Sequence, residues 1–448
     1  MKPQAIRLVK IFAGIAVAVL VIHTALLVFS GIALRNARAE LRAAGRPMSP
    51  AEIIPADVPA NENAAPLYES AFALLDSESI GDKKLAVFVT DAGRDYAVDP
   101  DADEKRSTFE NALANETFVR TLELVEQAAA RTQCNFNLQY DLGGMLCVHH
   151  VDDMLAIGRI LKAKALLHAR RGETQKTYAA LDIALRMAEA LRDEPMLSSA
   201  VVRNAQYYMA LEWLPALCAK APPDDETAAR LSALLADVDL VASYIRAVDG
   251  ERLFMGEWTY NCFADGNVHD FLGPENDGVW AARVAKGLLG YRPSLQLDHA
   301  AYLRTHSRFA ANAARPLWLW EIKPIARPAD EFPWYATISR IITPALNSSL
   351  LHSVHVQALI RVSRTGLALL RHKLAHGAYP ASLAEIDPEF LGEIPVDPFT
   401  GQPLVYRPEA DGFVLYSLGK NFRDDNGTIE SIDSRRSDTC DIVWRSSN

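Results

Sequence analysis

The longest hydrophobic run of the chain lies near its start. Ile11 to Leu34 are 24 residues without a charge, and His23, Thr24 and Ser30 are the clearly polar members. As an α-helix this stretch would be about 36 Å long, which is enough to cross a bilayer core of about 30 Å. The pattern therefore predicts a transmembrane anchor in the lipid bilayer, with residues 1–46 as the anchor and its flanks.

A cleaved signal peptide is the alternative interpretation of this run. Ala37-Arg38-Ala39 has the small-residue form of a cleavage site, but the run exceeds the roughly 7–15 apolar residues of a signal peptide. We therefore favour a retained, single-pass anchor. Basic residues flank the run on both sides, so their distribution does not decide the orientation. We expect the usual arrangement of an N-terminal anchor, in which the bulk of the chain lies outside the cytoplasm.

Beyond the anchor, the pattern predicts a linker at 47–63 and a helical body at 64–342. Apolar residues recur at helical spacing over Val151 to Arg171 and Glu173 to Arg192, with a glycine between them. This helical hairpin resembles one unit of a tetratricopeptide array, but no second copy follows at a period of about 34 residues. A bundle and a solenoid-like body therefore both remain open.

Two further regions of the body have patterns that predict their structure. Pro195 predicts the start of a third helix that reaches Lys220, and another helix pair is expected at about 224–260. The segment 264–345 is rich in tryptophan and proline. We expect its aromatic residues to pack inside a proline-braced segment rather than to form an exposed patch. The tryptophans concerned are Trp280, Trp318, Trp320 and Trp334.

The last hundred residues follow a different pattern. Thr343 to His376 reads as a long helix. Pro403 to Arg407 alternates as a strand, and after an Asp411-Gly412 turn Phe413 to Ser417 reads as a second strand. This predicts a small C-terminal α+β module with a β-hairpin at 343–448. The expected fold class is mainly α, with an N-terminal transmembrane helix, a helical body and this module.

The charge of the chain bears on its partners. The first 46 residues hold seven basic residues and one acid, a charge of +6, so the remainder carries −16 within the total of −10. An acidic body repels phosphate backbones, and we therefore expect no nucleic acid as a partner.

The five cysteines are scattered and form no CxxC pair, which disfavours a zinc site or a disulfide framework. In an oxidising compartment Cys134 and Cys147 could pair, and the sequence leaves that open.

One compact His/Asp cluster is the candidate for catalysis. It consists of His149, His150, Asp152 and Asp153, and on a helix His149 and Asp153 share a face. Such a pair could act as an acid–base couple or bind a metal. A surface ion pair or a first-turn cap is the more common arrangement. The sequence contains no HExxH, G-x-S-x-G, phosphate-loop or Rossmann motif.

Five short segments of the C-terminal module occur in an order that resembles the globular half of the major pseudopilin of type II secretion systems. They are Gly377 to Pro380, Pro395 to Pro398 with Gly401, Tyr416 to Gly419, the acidic loop that follows, and Asp441 to Trp444. In pseudopilins the membrane segment belongs to the same long helix and follows a peptidase site. Here that segment lies over 300 residues upstream without such a site, so we expect no pilus assembly.

The whole layout is also similar to a group of uncharacterised membrane-anchored bacterial proteins. They share an ENAAPLYESAFALL-like entry to the body and a YPxSLxE…DPFTGxPLxYR-like ending. This likeness implies the same architecture and supplies no activity.

The resemblance to pseudopilins implies a calcium site in the acidic loop. There the Leu418 carbonyl and Asn421 would bind the ion, joined by Asp424, Asp425 and Asp433. Hard oxygen ligands of this kind suit calcium. Asn421 stands where the family has an acid, which would weaken the site, and an Asx-rich turn without metal is the alternative.

Together these features predict a membrane-tethered interaction or scaffold protein, non-enzymatic, acting on a protein partner in the cell envelope and linked to secretion or to the envelope itself. The alternative is an extracytoplasmic enzyme of hydrolase type that uses the cluster at His149.

Overall fold

The computed structural model describes residues 3–79, 110–267, 287–319, 332–343, 346–428 and 441–446, apart from positions 112 and 288. Helices dominate it, and the small sheet lies at the C-terminal end, which confirms the mainly α class. The α-helices are α1 (Pro3–Ala43), α2 (Ala65–Ser79), α3 (Glu116–Ala129), α4 (His150–Arg170), α5 (Thr174–Glu189), α6 (Leu197–Leu211), α7 (Leu214–Lys220), α8 (Asp225–Leu234), α9 (Leu240–Glu251), α10 (Trp258–Asp265), α11 (Arg292–Ala313), α12 (Thr337–Ile342), α13 (Leu346–His376) and α14 (Pro388–Leu391). The strands are β1 (Val405–Pro408), β2 (Phe413–Ser417) and β3 (Ile442–Arg445).

The predicted anchor lies within α1, which continues beyond the uncharged run to Ala43. Among the described helices, α1 is the one that is long and apolar enough to cross a bilayer. Gly45 follows with a φ of +67°, and the amide of Arg46 donates to the carbonyl of Leu41. This left-handed position is the common way to end a helix, and it is the reason that α1 stops here.

The segment after α1, predicted as a linker, is hydrogen-bonded to the body at several places. Arg252 donates to the carbonyl of Pro47, and Arg246 donates to that of Ile53 at 2.6 Å. The side-chain amide of Asn135 donates to the carbonyl of Ala56 at 3.0 Å. These bonds fix the segment that follows α1 to the body.

The predicted helical hairpin is present as α4 and α5, and its third neighbour differs from the expectation. The helix expected to run to Lys220 ends at Leu211, and α7 begins only at Leu214. Pro215 explains the break, because it has no amide hydrogen and its ring would clash with the carbonyl four residues earlier. The helix pair expected at 224–260 is present as α8 and α9, and a π-helical turn at Arg252–Glu257 carries α9 on into α10.

The long C-terminal helix α13 lies in the centre of the body. Its apolar residues share one core with α4 to α9. Polar contacts reinforce this packing: Asn204 donates to Ser353 Oγ at 2.8 Å, and Tyr244 OH donates to the Leu346 carbonyl at 2.8 Å. The module predicted at 343–448 therefore shares its main helix with the body.

The three strands form one antiparallel sheet in the order β1-β2-β3. Val405 lies opposite Tyr416, and Leu415 lies opposite Trp444. The third strand adds to the predicted hairpin, as expected because an isolated two-stranded ribbon is marginal in water. Trp444 packs flat on α13, where a Cβ at Gly366 would come within 2.2 Å of the indole ring.

Candidate functional site

The structure does not bring the predicted His/Asp cluster together. His149 precedes α4 and is exposed, Asp152 is also exposed, and Asp153 is half-buried. His150 points the other way and is 8% exposed. The expectation that these four side chains form one site is therefore not supported by the geometry.

His150 instead forms a buried pair with an acid that the sequence reading missed. Its ring stacks on Phe136 with centroids 3.9 Å apart, and its Nε2 lies 3.0 Å from Glu194 Oε2. Ser199 donates to the other oxygen of Glu194. No local motif predicts Glu194 as a partner of His150, because Glu194 lies in the connection between α5 and α6 and His150 begins α4.

Ser199, Glu194 and His150 are not arranged so that the serine hydroxyl becomes a nucleophile. In a serine hydrolase the histidine lies between the serine and the acid, so that it takes the hydroxyl proton. Here the carboxylate of Glu194 lies between Ser199 and His150, and the hydroxyl already donates to it. The group acts as a buried polar contact between the start of α4 and the start of α6.

The nearby thiol of Cys134 is also unreactive. Burial, with the carboxylates of Glu194 and Glu69 adding to it, raises the pKa of Cys134 to about 12. The thiolate is the reactive form of cysteine, so this side chain stays protonated. Cys134 and Cys147, whose pairing the sequence left open, are both free thiols. Cys440 lies outside the described residues.

The predicted calcium loop is closed by its own hydrogen bonds. The amide of Leu418 donates to Asp397 at 3.0 Å. The Asn421 side chain donates to Asp425 at 2.7 Å, while its oxygen accepts from the amide of Arg423. Asp424 accepts from Tyr416 OH at 2.9 Å. Since the Asn421 oxygen faces an amide rather than open space, the described part of the loop fits an Asx turn.

Asp441 is a further acid in this loop that the calcium prediction did not include. Its carboxylate accepts the amide of Gly427 at 2.8 Å, and burial raises its pKa with help from Asp424 and Asp425. The predicted ligand Asp433 lies outside the described residues. Calcium binding therefore stays a prediction.

A set of buried charges lies at the π-helical turn between α9 and α10. Asp249 accepts from Arg46 Nε at 3.2 Å and lies 3.7 Å from Arg252, whose side chain is 2% exposed. Burial raises the pKa of Asp249, and the two arginines oppose that rise. A buried acid between two cations is stable only as a set, so this contact joins the end of α1 to the body.

A second pair at this turn also contacts α1. Glu257 lies 3.2 Å from His299 Nε2 and 3.3 Å from Arg38. Burial acts to raise the pKa of Glu257, but His299 and Arg38 outweigh it and hold that pKa below its ordinary value. His299 stacks on Tyr260 at 4.1 Å. No sequence pattern predicts this contact, because Glu257, His299 and Arg38 come from three separate helices.

A cleft of about 510 Å³ opens between α13, the end of α11 and the turn after α14. Its floor is apolar, with Leu317, Leu350 and Val354 among the residues that line it. Ligand sites in proteins have volumes of this order. Trp318 lies at its edge and packs against Gly401, where a Cβ would come within 2.5 Å of the indole.

The rim of this cleft carries a net positive charge among the described residues. The charged members are three arginines and two acids, namely Arg315, Arg361, Arg364, Asp239 and Glu393. Arg361 donates to the Val396 carbonyl at 2.6 Å. The Nε of Arg364 is buried and has no hydrogen-bond partner among the described residues. Burial lowers the pKa of both Arg361 and Arg364, yet both stay charged.

Comparisons of the chain with protein-family models, with curated proteins and with solved structures found no match.

Proposed function

We propose that this chain is a membrane-anchored interaction protein that presents its arginine-rimmed cleft to a protein partner in the cell envelope. The observation that carries the proposal is the cleft at α13. Its apolar floor and positive rim suit an acidic segment of a partner, because a partly desolvated arginine gains most from a carboxylate.

The contacts between α1 and the body support a retained anchor over a cleaved signal peptide. Cleavage after Ala39 would remove the ion pair of Arg38 with Glu257 and the bond between Ser30 and Gln296. A signal peptide is discarded and has no reason to be built into the packing of the mature domain. We place the body outside the cytoplasm, following the default for such anchors.

The enzymatic alternative, a hydrolase that uses the His149 region, has less support. His149 and Asp152 point to solvent, while His150 is committed to Glu194. A general base must reach a substrate proton from within a site that excludes bulk water. An exposed helix end does not provide one.

The link to secretion rests on the pseudopilin-like module, and two features are compatible with it. The long helix precedes a small antiparallel sheet, and the Pro395 turn lies at the cleft. We propose that the module serves as a docking surface in the envelope rather than as a polymerising subunit.

The topology is tested with the thiol of Cys147, which is exposed and free. Cys440 is changed to Ser in every variant, and intact cells are treated with a maleimide that cannot cross the membrane. We expect labelling of the chain and its loss in Cys147→Ser. Labelling that appears only after the cells are broken would place the body in the cytoplasm and overturn the proposal.

The cleft is tested with a photoreactive benzophenone side chain at Val396, which is 38% exposed at the rim. The control position is Val119 on α3, which is 44% exposed and away from the cleft. We expect a discrete protein adduct from position 396 in intact cells, none from 119, and loss of the adduct in Arg364→Glu. Adducts that do not depend on Arg364 would contradict the proposed site.

A further inference from the structure

Helices α1 and α11 run in parallel, and the contacts between them show which residues of the two helices lie at the same depth along the predicted anchor. His23 Nδ1 lies 2.8 Å from Tyr291 OH, and Ser30 donates to Gln296 at 2.7 Å. Further along both helices, Arg304 donates to Glu40 at 3.0 Å. The contacting residues follow one another in the same order on both helices. The position of each α11 residue along the axis of α1 is therefore known.

One side of α1 stays uncovered over the same levels. Val28, Phe29 and Ile32 are exposed, whereas Ser30 is fully buried against α11. These exposed apolar residues belong to the predicted span, whose end is Leu34. Lipid would therefore reach the level of Ile32 on one side of α1 while α11 covers the other side.

The short helix α12 lies at this level. Asp298 on α11 accepts the amides of Ile338 at 2.9 Å and Ser339 at 3.0 Å. Asp298 is two residues beyond Gln296, about 3 Å along the helix axis. The start of α12 is thus fixed beside the end of the uncharged run of α1, and Ile338 shares a core cluster with Ala37 of α1.

The segment that leads into α12 exposes large apolar side chains. Trp334 is 84% exposed, Ile341 63% and Tyr335 36%. Their neighbour Phe332 is buried and fixes the segment against the body. The exposed side chains therefore belong to a packed segment. For Trp334 the expectation that the aromatic residues of this region pack inside is wrong. For Trp318 the expectation is met in part, because its indole lies against Gly401. Trp280 and Trp320 lie outside the described residues.

We propose that this segment, Phe332 to Ile342, is a second membrane contact that seats the body on the bilayer. Tryptophan and tyrosine favour the level where hydrocarbon meets headgroups, which is the level at which α12 is fixed. Arg35 is exposed near the same level and suits anionic headgroups. Arg340 is also exposed there, and it donates one hydrogen bond to the Phe332 carbonyl at 2.8 Å. The inference rests on the proposed anchor, and it adds that the body lies against the membrane instead of extending away from it.

The test uses the full chain in nanodiscs that contain anionic and zwitterionic lipid. A benzophenone side chain replaces Trp334 or Ile341, and lipid adducts are read by mass spectrometry. Val21, which is 62% exposed on α1, reports insertion of the anchor, and Val119 on α3 is the exposed control away from the membrane. We expect lipid adducts at positions 21, 334 and 341 and none at 119.

The outcomes separate this inference from the anchor itself. Adducts at position 21 without adducts at 334 and 341 would overturn the second contact and leave the anchor in place. Absence of adducts at 21 would refute both. Protein–protein adducts at 334 in place of lipid adducts would show that the patch is an interface between chains, which also contradicts the inference.

Discussion

Acidic side chains gather in two parts of the molecule, and the groups that face them differ. At the π-helical turn, Asp249 and Glu257 face arginine and histidine side chains from α1, from the segment that follows it, from the turn itself and from α11. In the C-terminal module, Asp397 and Asp441 face backbone amides. The first arrangement joins separate helices through buried charge, while the second fixes the shape of local turns. Their sensitivity to mutation, pH and ions should differ accordingly.

The largest effect is expected from breaking the charged set. In Asp249→Ala, Arg46 and Arg252 would be left buried without their acid, which costs about 3–5 kcal/mol in the free energy of unfolding. Asp152→Ala, at an exposed position, should change that energy by less than about 0.5 kcal/mol. Denaturant unfolding in detergent measures both. Equal stabilities would show that the contact between α1 and the body carries no such set.

The amide-bound acids should be somewhat less costly to lose. Asp397 accepts from the amides of Phe399 and Leu418 and from Ser417 Oγ, at 2.8 to 3.0 Å. Its removal in Asp397→Ala should cost about 3 kcal/mol, because three buried donors lose their acceptor. Asp411→Ala, on an exposed turn nearby, is the matched control. A loss no larger than that of the control would mean that water replaces the carboxylate.

The same contrast shows what sequence patterns could and could not predict. Helical periodicity and glycine stops predicted α1, the α4–α5 hairpin and α13, because these depend on neighbours in sequence. The helix break at Pro215 was missed because the apolar spacing continues past the proline. The pairs His150–Glu194 and Glu257–His299 were also missed, since charged residues on separate helices meet only after packing. The cluster at His149 was predicted because its members are adjacent in sequence, and in the structure His150 is buried away from the exposed His149 and Asp152.

Two buried groups beside the π-helical turn give a test of pH dependence. Burial lowers the pKa of His306 to about 3, from an ordinary value of 6.5. Burial raises the pKa of Glu251 to about 7, from 4.5. His306 faces the Tyr302 carbonyl and Arg252, and Glu251 faces Tyr244 and Tyr302. Both side chains are therefore held in their neutral forms.

The two groups act in opposite directions. The stability that neutral His306 contributes is complete above pH 6.5 and is lost as the pH falls toward 3. That of neutral Glu251 is complete below pH 4.5 and is lost as the pH rises through 7. Between pH 4.5 and 6.5 they should cancel, each with a slope of about 1.4 kcal/mol per pH unit.

Single variants should reveal the two pH dependences of the free energy of unfolding, which cancel in the parent protein. In Glu251→Gln, the free energy of unfolding should fall steadily as the pH drops from 6.5. In His306→Gln, it should fall as the pH rises from 4.5 to 7. Unfolding midpoints measured across this range give both slopes. Two variants with the pH profile of the parent protein would show that neither group is held neutral.

The smallest expected effect is that of calcium on the Asx-rich loop. Measuring it would best distinguish the acids of the C-terminal module from those at the π-helical turn. A site with a dissociation constant of about 0.1–1 mM would stabilise the chain by about 0.4–1.4 kcal/mol at 1 mM calcium. The full chain is needed because α13 packs within the body. We expect a rise in the unfolding temperature with calcium that is lost in Asp425→Asn and not reproduced by magnesium. Binding would require the Asn421 oxygen to release the amide of Arg423, so the gain is expected at the low end of this range. No rise at millimolar calcium would leave the loop as a turn closed by its own amides, and the resemblance to pseudopilins would then not extend to their metal.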